Sequence, residues 1–134
     1  MTSRSRIFKN KPFSRFARKC GIDDSELCVA FFNLERGLID ADLGSGIVKQ
    51  RIARKGEGKS GGFRVIVVYR SGNLAVFVHG FAKSDVGNID RYELAALKKL
   101  AATILAYRAS DVDTAVESGA LIEVMCDDRN QTIP

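Results

Sequence analysis

The sequence predicts an α+β fold: an antiparallel sheet of about four strands, packed against two N-terminal helices and one long helix after the third strand. Three observations carry this. Three strand-like runs, at about 46–54, 63–70 and 74–81, are joined by connections marked by Gly61-Gly62 and Ser71-Gly72-Asn73. Connections this short leave antiparallel pairing as the arrangement for neighbouring runs. Two stretches of helical period precede the runs, and the strongest one in the chain follows them.

Each element has a local reason. Residues 1 to 10 are polar and basic, and are expected to fray. Pro12 takes the first position of a short helix, whose apolar residues Phe13, Phe16, Ala17 and Cys20 share a face and which Gly21 ends. Asp23 with Glu26 reads as a capping box, followed by Leu27, Phe31 and Leu34 on one helical face and Gly37 at the end. Asp40 to Gly46 reads as a loop. After the three runs, Asn88 or Asp90 opens the long helix, with the apolar stripe Leu94, Leu97, Leu100, Ala101, Ile104 and Leu105. Residues 108 to 119 read as turn, Ala120 to Cys126 as a short fourth strand, and the tail beyond as loose. The expected core is Phe31, Leu34, Val65, Val67, Val76, Val78, Leu94, Leu97 and Ala101, with Ala75 and Phe77 as the alternative inward set of the third run.

The chain of 134 residues suits a single domain, 1–134, with an ordered core at about 12–126. No run approaches the ~18 apolar residues of a membrane span, and the basic N-terminus lacks the apolar stretch of a secretory signal. Cys20, Cys28 and Cys126 are widely spaced and odd in number, which reads as buried free thiols in a reducing cytoplasm. The net charge of +5 is unevenly spread: residues 4 to 19 carry seven basic groups and no acid, and residues 23 to 42 carry six acids and one Arg. A localised basic site follows, rather than a uniformly basic surface.

That site falls on the first two runs. Lys49, Arg51, Arg54, Lys55, Lys59, Arg64 and Arg70 face a single acid, Glu57, across the stretch. Lys49 and Arg51 alternate with Val48 and Ile52; Arg64 and Arg70 alternate with Phe63, Val65, Val67 and Tyr69. One face is thus kept for the core, and the other is a band of positive charge that fits a polyanion, most simply nucleic acid. Solvated strand cations are the plain alternative. Same-sign charges on adjacent strands repel, however, and an anion between them removes that cost.

Other motifs carry less. Gly58-Lys59-Ser60 resembles the end of a phosphate-binding loop, but Ala53 stands where that motif needs a Gly, and a strand rather than a helix follows. Lys59 and free backbone N–H groups there still suit a phosphate. His79 is the only histidine, which excludes a His-pair acid/base mechanism, and it reads as a structural residue of the sheet. No spacing of ligand residues calls for a metal or cofactor.

The segments GIVKQRIARKGEGKSGGFRVIVVYR and FVHGFAKSDVGNIDRYELAALKKLA together resemble the RelE/HigB-type toxins of bacterial type II toxin–antitoxin systems, within the RelE/ParE superfamily. The resemblance runs from about Phe13 to Leu105. It implies a small α+β toxin and a ribosome-dependent, metal-independent endoribonuclease that cleaves mRNA and blocks translation. It also implies a cytoplasmic protein silenced by a cognate antitoxin of helix-turn-helix type, with ribosome and mRNA as its other partners. Lys49 and Arg51 match the basic pair of the family's first site strand, Arg64 the Arg after its Gly-aromatic step, and Lys83 an Arg just past the last central strand. The best-known members carry a Tyr six residues further on; here that position is Ile89, and Tyr92 is close but not equivalent. Arg54, Lys55, Lys59 and Arg70 are the expected RNA-backbone contacts.

The residues suit that chemistry. RNA cleavage needs the 2′-OH deprotonated, the phosphorane charge stabilised and the 5′-oxygen protonated. Arg clamps phosphate through a fork of donors, and a Lys crowded by cations is able to act as a base. The expected division is Lys49 or Arg51 near the 2′-OH, Arg64 on the scissile phosphate and Lys83 near the leaving oxygen. The rival reading is a non-catalytic RNA-, ribosome- or antitoxin-binding module on the same fold.

Overall fold

The computed structural model describes residues 6–54, 58–70, 72–82 and 89–126. In chain order the elements are β1 (Arg6–Asn10), α1 (Lys11–Cys20), α2 (Asp24–Glu35), β2 (Ala41–Gly44), β3 (Ile47–Arg54), β4 (Gly58–Arg70), β5 (Leu74–Ala82), α3 (Arg91–Leu105), α4 (Ala109–Ser118) and β6 (Leu121–Val124). The strands form one six-stranded sheet in the order β2-β3-β4-β5-β1-β6. As the glycine-marked connections predict, β3 pairs with β4 and β4 with β5, both antiparallel. The sheet as a whole is mixed, because β1 runs parallel to β5 while pairing antiparallel with β6.

Helix starts follow local chemistry. The Asn10 side chain accepts from the Phe13 N–H at 2.9 Å and opens α1, with Pro12 in the first turn; Gly21, at φ 72°, closes it. Asp23 and Glu26 form a reciprocal capping box at α2, each carboxylate accepting the other's backbone N–H at 3.0 Å. Asp90, rather than Asn88, opens α3 by accepting from the Glu93 N–H at 2.8 Å. Asp23→Ala removes one side of the α2 box and is expected to cost about 1 kcal/mol, read as a fall of roughly 3–5 °C in melting temperature by circular dichroism.

Helices cover both faces of the sheet. On one face Val48, Ile52, Phe63, Val65, Val67, Ala75 and Phe77 share a cluster with Phe13 and Ala17 of α1 and Leu27, Phe31 and Leu34 of α2. On the other, Ile47, Ile66, Val68, Val76 and Val78 share a cluster with Leu97, Ala101 and Ile104 of α3 and Val112 and Ala115 of α4. This explains the unbroken apolar runs Val65–Val68 and Leu74–Val78: a strand buried on both sides has no polar face to alternate with. Both of the inward sets considered for the third run are therefore core. Of the expected core residues only Leu94 is no more than partly buried.

Five expectations are corrected. Among the described residues, six strands and four helices replace four and three. The frayed N-terminus is in part β1, whose Ile7 and Phe8 bury on opposite faces; the slot between β5 and β6 overrides its weak strand propensity. The loop at 40–46 contains the edge strand β2, and the turn at 108–119 contains α4. α4 is polar and buries only Val112 and Ala115, but Asp111 accepts the Arg108 N–H at 2.9 Å at its start and Gly119 ends it at φ 83°. Finally, the thiols of Cys28 and Cys126 are not free. They form a disulfide with Cα atoms 5.7 Å apart, tying α2 to the residues after β6, and Cys20 is the free thiol. A separation of 98 residues gives no local sign of such a pairing.

Candidate functional site

Strand register assembles the site. β3 and β4 place Lys49 opposite Ile66 and Arg51 opposite Arg64, so these side chains emerge on the face that α3 partly covers. β5 contributes from the other side, but only because of an irregularity. Val67 pairs with Phe77, yet Ile66 pairs with His79 and Arg64 with Phe81. The extra residue, Val78, is a β-bulge that reverses the parity of all that follows it. Without it His79 and Phe81 would share Phe77's face; with it they flank Arg64. Gly80 then falls on the opposite face, where the Phe16 ring occupies the space a side chain would need.

Arg64 is the centre of the cluster and is only 9% exposed. Its Nε lies 3.2 Å from Oδ2 of Asp40, and the Lys49 Nζ lies 3.5 Å from the same oxygen. The Nη1 of Arg64 is buried and finds no hydrogen-bond partner among the described residues. Arg51 stands exposed beside it. On the rim, His79 Nε2 is 3.9 Å from a Glu93 carboxylate oxygen in the first turn of α3, and its ring centre is 6.0 Å from that of Phe81.

Asp40 is held in place from two directions. Its N–H donates to the Lys49 carbonyl at 2.9 Å. Beneath the sheet, Gln50 is 4% exposed, and its amide donates to the Ala30 carbonyl at 3.1 Å and the Leu38 carbonyl at 2.9 Å. The Gln50 oxygen accepts the Arg51 N–H at 3.0 Å. One buried amide therefore links α2, the segment leading to Asp40 and the site strand β3.

A buried guanidinium with an unmade bond is costly. An unsatisfied buried donor costs about 1–3 kcal/mol, more when charged, and such groups in native folds call for a reason. An anion that supplies the missing acceptor is one.

The other expected site residues are placed differently. Arg70 lies six residues further along β4, roughly 20 Å away at strand rise. Its Nη1 donates to the Leu105 carbonyl at 2.7 Å, and its Nε to the Asn73 side chain at 2.9 Å. It thus satisfies the C-terminal end of α3 and does not join the Arg64 cluster. Lys55 and Lys83 lie outside the described residues, as do the side chains of Arg54 and Lys59. Gly58-Lys59-Ser60 opens a strand, so it presents no helix N-terminus to a phosphate. The band of charge is also not an open face: Ile47, Ile66 and Val68 bury on the same side, and the basic part is confined to one end. Ile89, at the position of the family tyrosine, packs against the α3-side cluster, and Tyr92 is 76% exposed.

Sequence reasoning missed Asp40, which sat in a stretch read as loop, and Phe81 and His79, whose direction depends on a bulge at Val78; Gly80, inside the strand, was the one local sign of it.

These features define a class: a small α+β protein with a mixed sheet between two layers of helices and a cationic cluster built on its central antiparallel strands. The family model for the RelE toxin of RelE/RelB toxin–antitoxin systems matches residues 5–124, and the chain belongs to that family. It is therefore a toxin of the toxin–antitoxin type, a family whose members pair with antitoxins and are generally endoribonucleases. No curated protein matches the chain. No helix among the described residues is long and apolar enough to cross a membrane.

Proposed function

We propose that this toxin is a ribosome-dependent, metal-independent mRNA endoribonuclease of HigB-like character, acting in the cytoplasm and silenced by a cognate antitoxin. The observation that carries the reading is the desolvated Arg64 with its unpartnered Nη1, beside Lys49 and Arg51. A guanidinium in that state binds a phosphate more strongly than a solvated one, because its competing water is already gone. Arg64 takes the scissile phosphate, Lys49 or Arg51 faces the 2′-OH, and Lys83 serves the leaving oxygen. Arg54, Lys55 and Lys59 hold the flanking RNA backbone, while Arg70 keeps its place at the end of α3. The phosphate reaches Nη1 when side chains over Arg64 shift on docking, since bonds of this kind tighten only in the substrate complex.

The test is cleavage of a defined mRNA by the purified protein with and without translating ribosomes. Cleavage confined to ribosome-bound message is the expected result. Cleavage of neither, with ribosome binding retained, would favour a non-catalytic ribosome-binding module. One observation leans that way: the family's tyrosine position holds Ile89, turned into the apolar cluster.

A further inference from the structure

We infer that Asp40 is a positioning residue for Arg64 and Lys49. Its one carboxylate oxygen meets the Arg64 Nε at 3.2 Å and the Lys49 Nζ at 3.5 Å. The contact falls on the Nε of the guanidinium and leaves Nη1 unpartnered. A planar fork held at Nε is fixed in orientation, so its outer end is aimed rather than free to swing. A carboxylate acting as a plug would take the outer end instead and would have to leave before an anion entered. Here carboxylate and phosphate fit the same guanidinium together.

The charge count agrees. Two cations on neighbouring strands repel each other, and one anion between them offsets this. The trio keeps one net positive charge, enough to attract a phosphate. The mount is rigid as well: the Asp40 N–H bonds to the Lys49 carbonyl, and Gln50 pins the Leu38 carbonyl two residues before Asp40. A site residue locked by such a supporting bond keeps its productive geometry, and a displacement of ~1 Å costs about 100-fold in rate.

This inference rests on the endoribonuclease reading, and the experiment separates the two. Wild-type, Asp40→Asn and Asp40→Glu proteins are compared on ribosome-bound mRNA. In parallel the Arg64 Nε–H signal, assigned by its absence in Arg64→Lys, is followed by NMR as inorganic phosphate is added. Asp40→Asn is expected to lower kcat about 10–100-fold with KM within about threefold, at a melting temperature close to wild type. Asp40→Glu, which keeps the charge, is expected to recover part of kcat. The Arg64 signal in Asp40→Asn is expected to shift and broaden, and to lose its response to phosphate. Wild-type kcat in Asp40→Asn overturns the inference. So does a higher kcat, the mark of a plug, and so does a loss that tracks melting temperature with no recovery in Asp40→Glu. If the wild-type protein cleaves nothing, the endoribonuclease reading falls and the phosphate titration decides alone. A response equal in wild type and Asp40→Asn then overturns the positioning role, and a response lost in Asp40→Asn supports it.

Discussion

Arg64→Ala is expected to lower cleavage of ribosome-bound mRNA by about 10²–10³-fold, the usual cost of losing one preorganised donor to a developing charge. The same change has a structural cost, because Arg64 is buried and paired with Asp40. Truncation leaves the Asp40 carboxylate with Lys49 alone, at about 1–3 kcal/mol. That lowers the melting temperature by several degrees without emptying the native state, given a typical total of about 5–15 kcal/mol. Activity and melting temperature therefore have to be measured on the same preparation. A fall of 10²-fold or more in a protein still folded at the assay temperature fits the phosphate role; near-wild-type cleavage removes Arg64 from the site. Arg64→Lys sharpens the result. Lysine keeps the charge but supplies no Nε–H for Asp40 and no fork for the phosphate, so it is expected to recover little.

Phe77→Ala is expected to have the largest effect on stability. Phe77 lies in β5, near the middle of the sheet, and is fully buried, its ring 5.4 Å from that of Phe13. Removing a buried aromatic ring costs about 3–5 kcal/mol, a large fraction of a typical domain's stability. In urea the midpoint should fall with little change in slope, and the melting temperature by roughly 10–20 °C. Phe77→Leu fills more of the space and is expected to lose clearly less. Equal midpoints for Phe77→Ala and wild type would show that α1 does not pack on β5 in solution.

Legibility in the sequence followed the range of the interactions. The antiparallel β3-β4-β5 unit, the starts of α1, α2 and α3 and most of the core rest on contacts between near neighbours or on strict periodicity, and Pro12, Asp23 and Asp90 announce the helix starts. β1 and β2 do not, because a short strand becomes one only when a partner is present. The parity of the basic residues was readable, but their burial was not. Nothing within Gly62-Phe63-Arg64 says that α3 closes over the same face, and nothing near Asp40 says that it faces Arg64. The disulfide joins residues 98 positions apart.

The position of β1 has a consequence for how the protein comes into being. β1 takes its parallel partner from Leu74 onward and its antiparallel partner from Leu121 onward, both made long after it. A nascent chain that has reached α2 has made β1 but nothing to pair it with. When β5 is complete β1 docks on one side only, and its outer edge stays bare until β6 has been made. Pairings so distant in sequence slow folding, because loop closure precedes any gain from contact. A chain stopped before Leu121 would carry β1 as an open edge, a template for pairing with other chains. The sheet, and the site it supports, is thus complete only when β6 arrives.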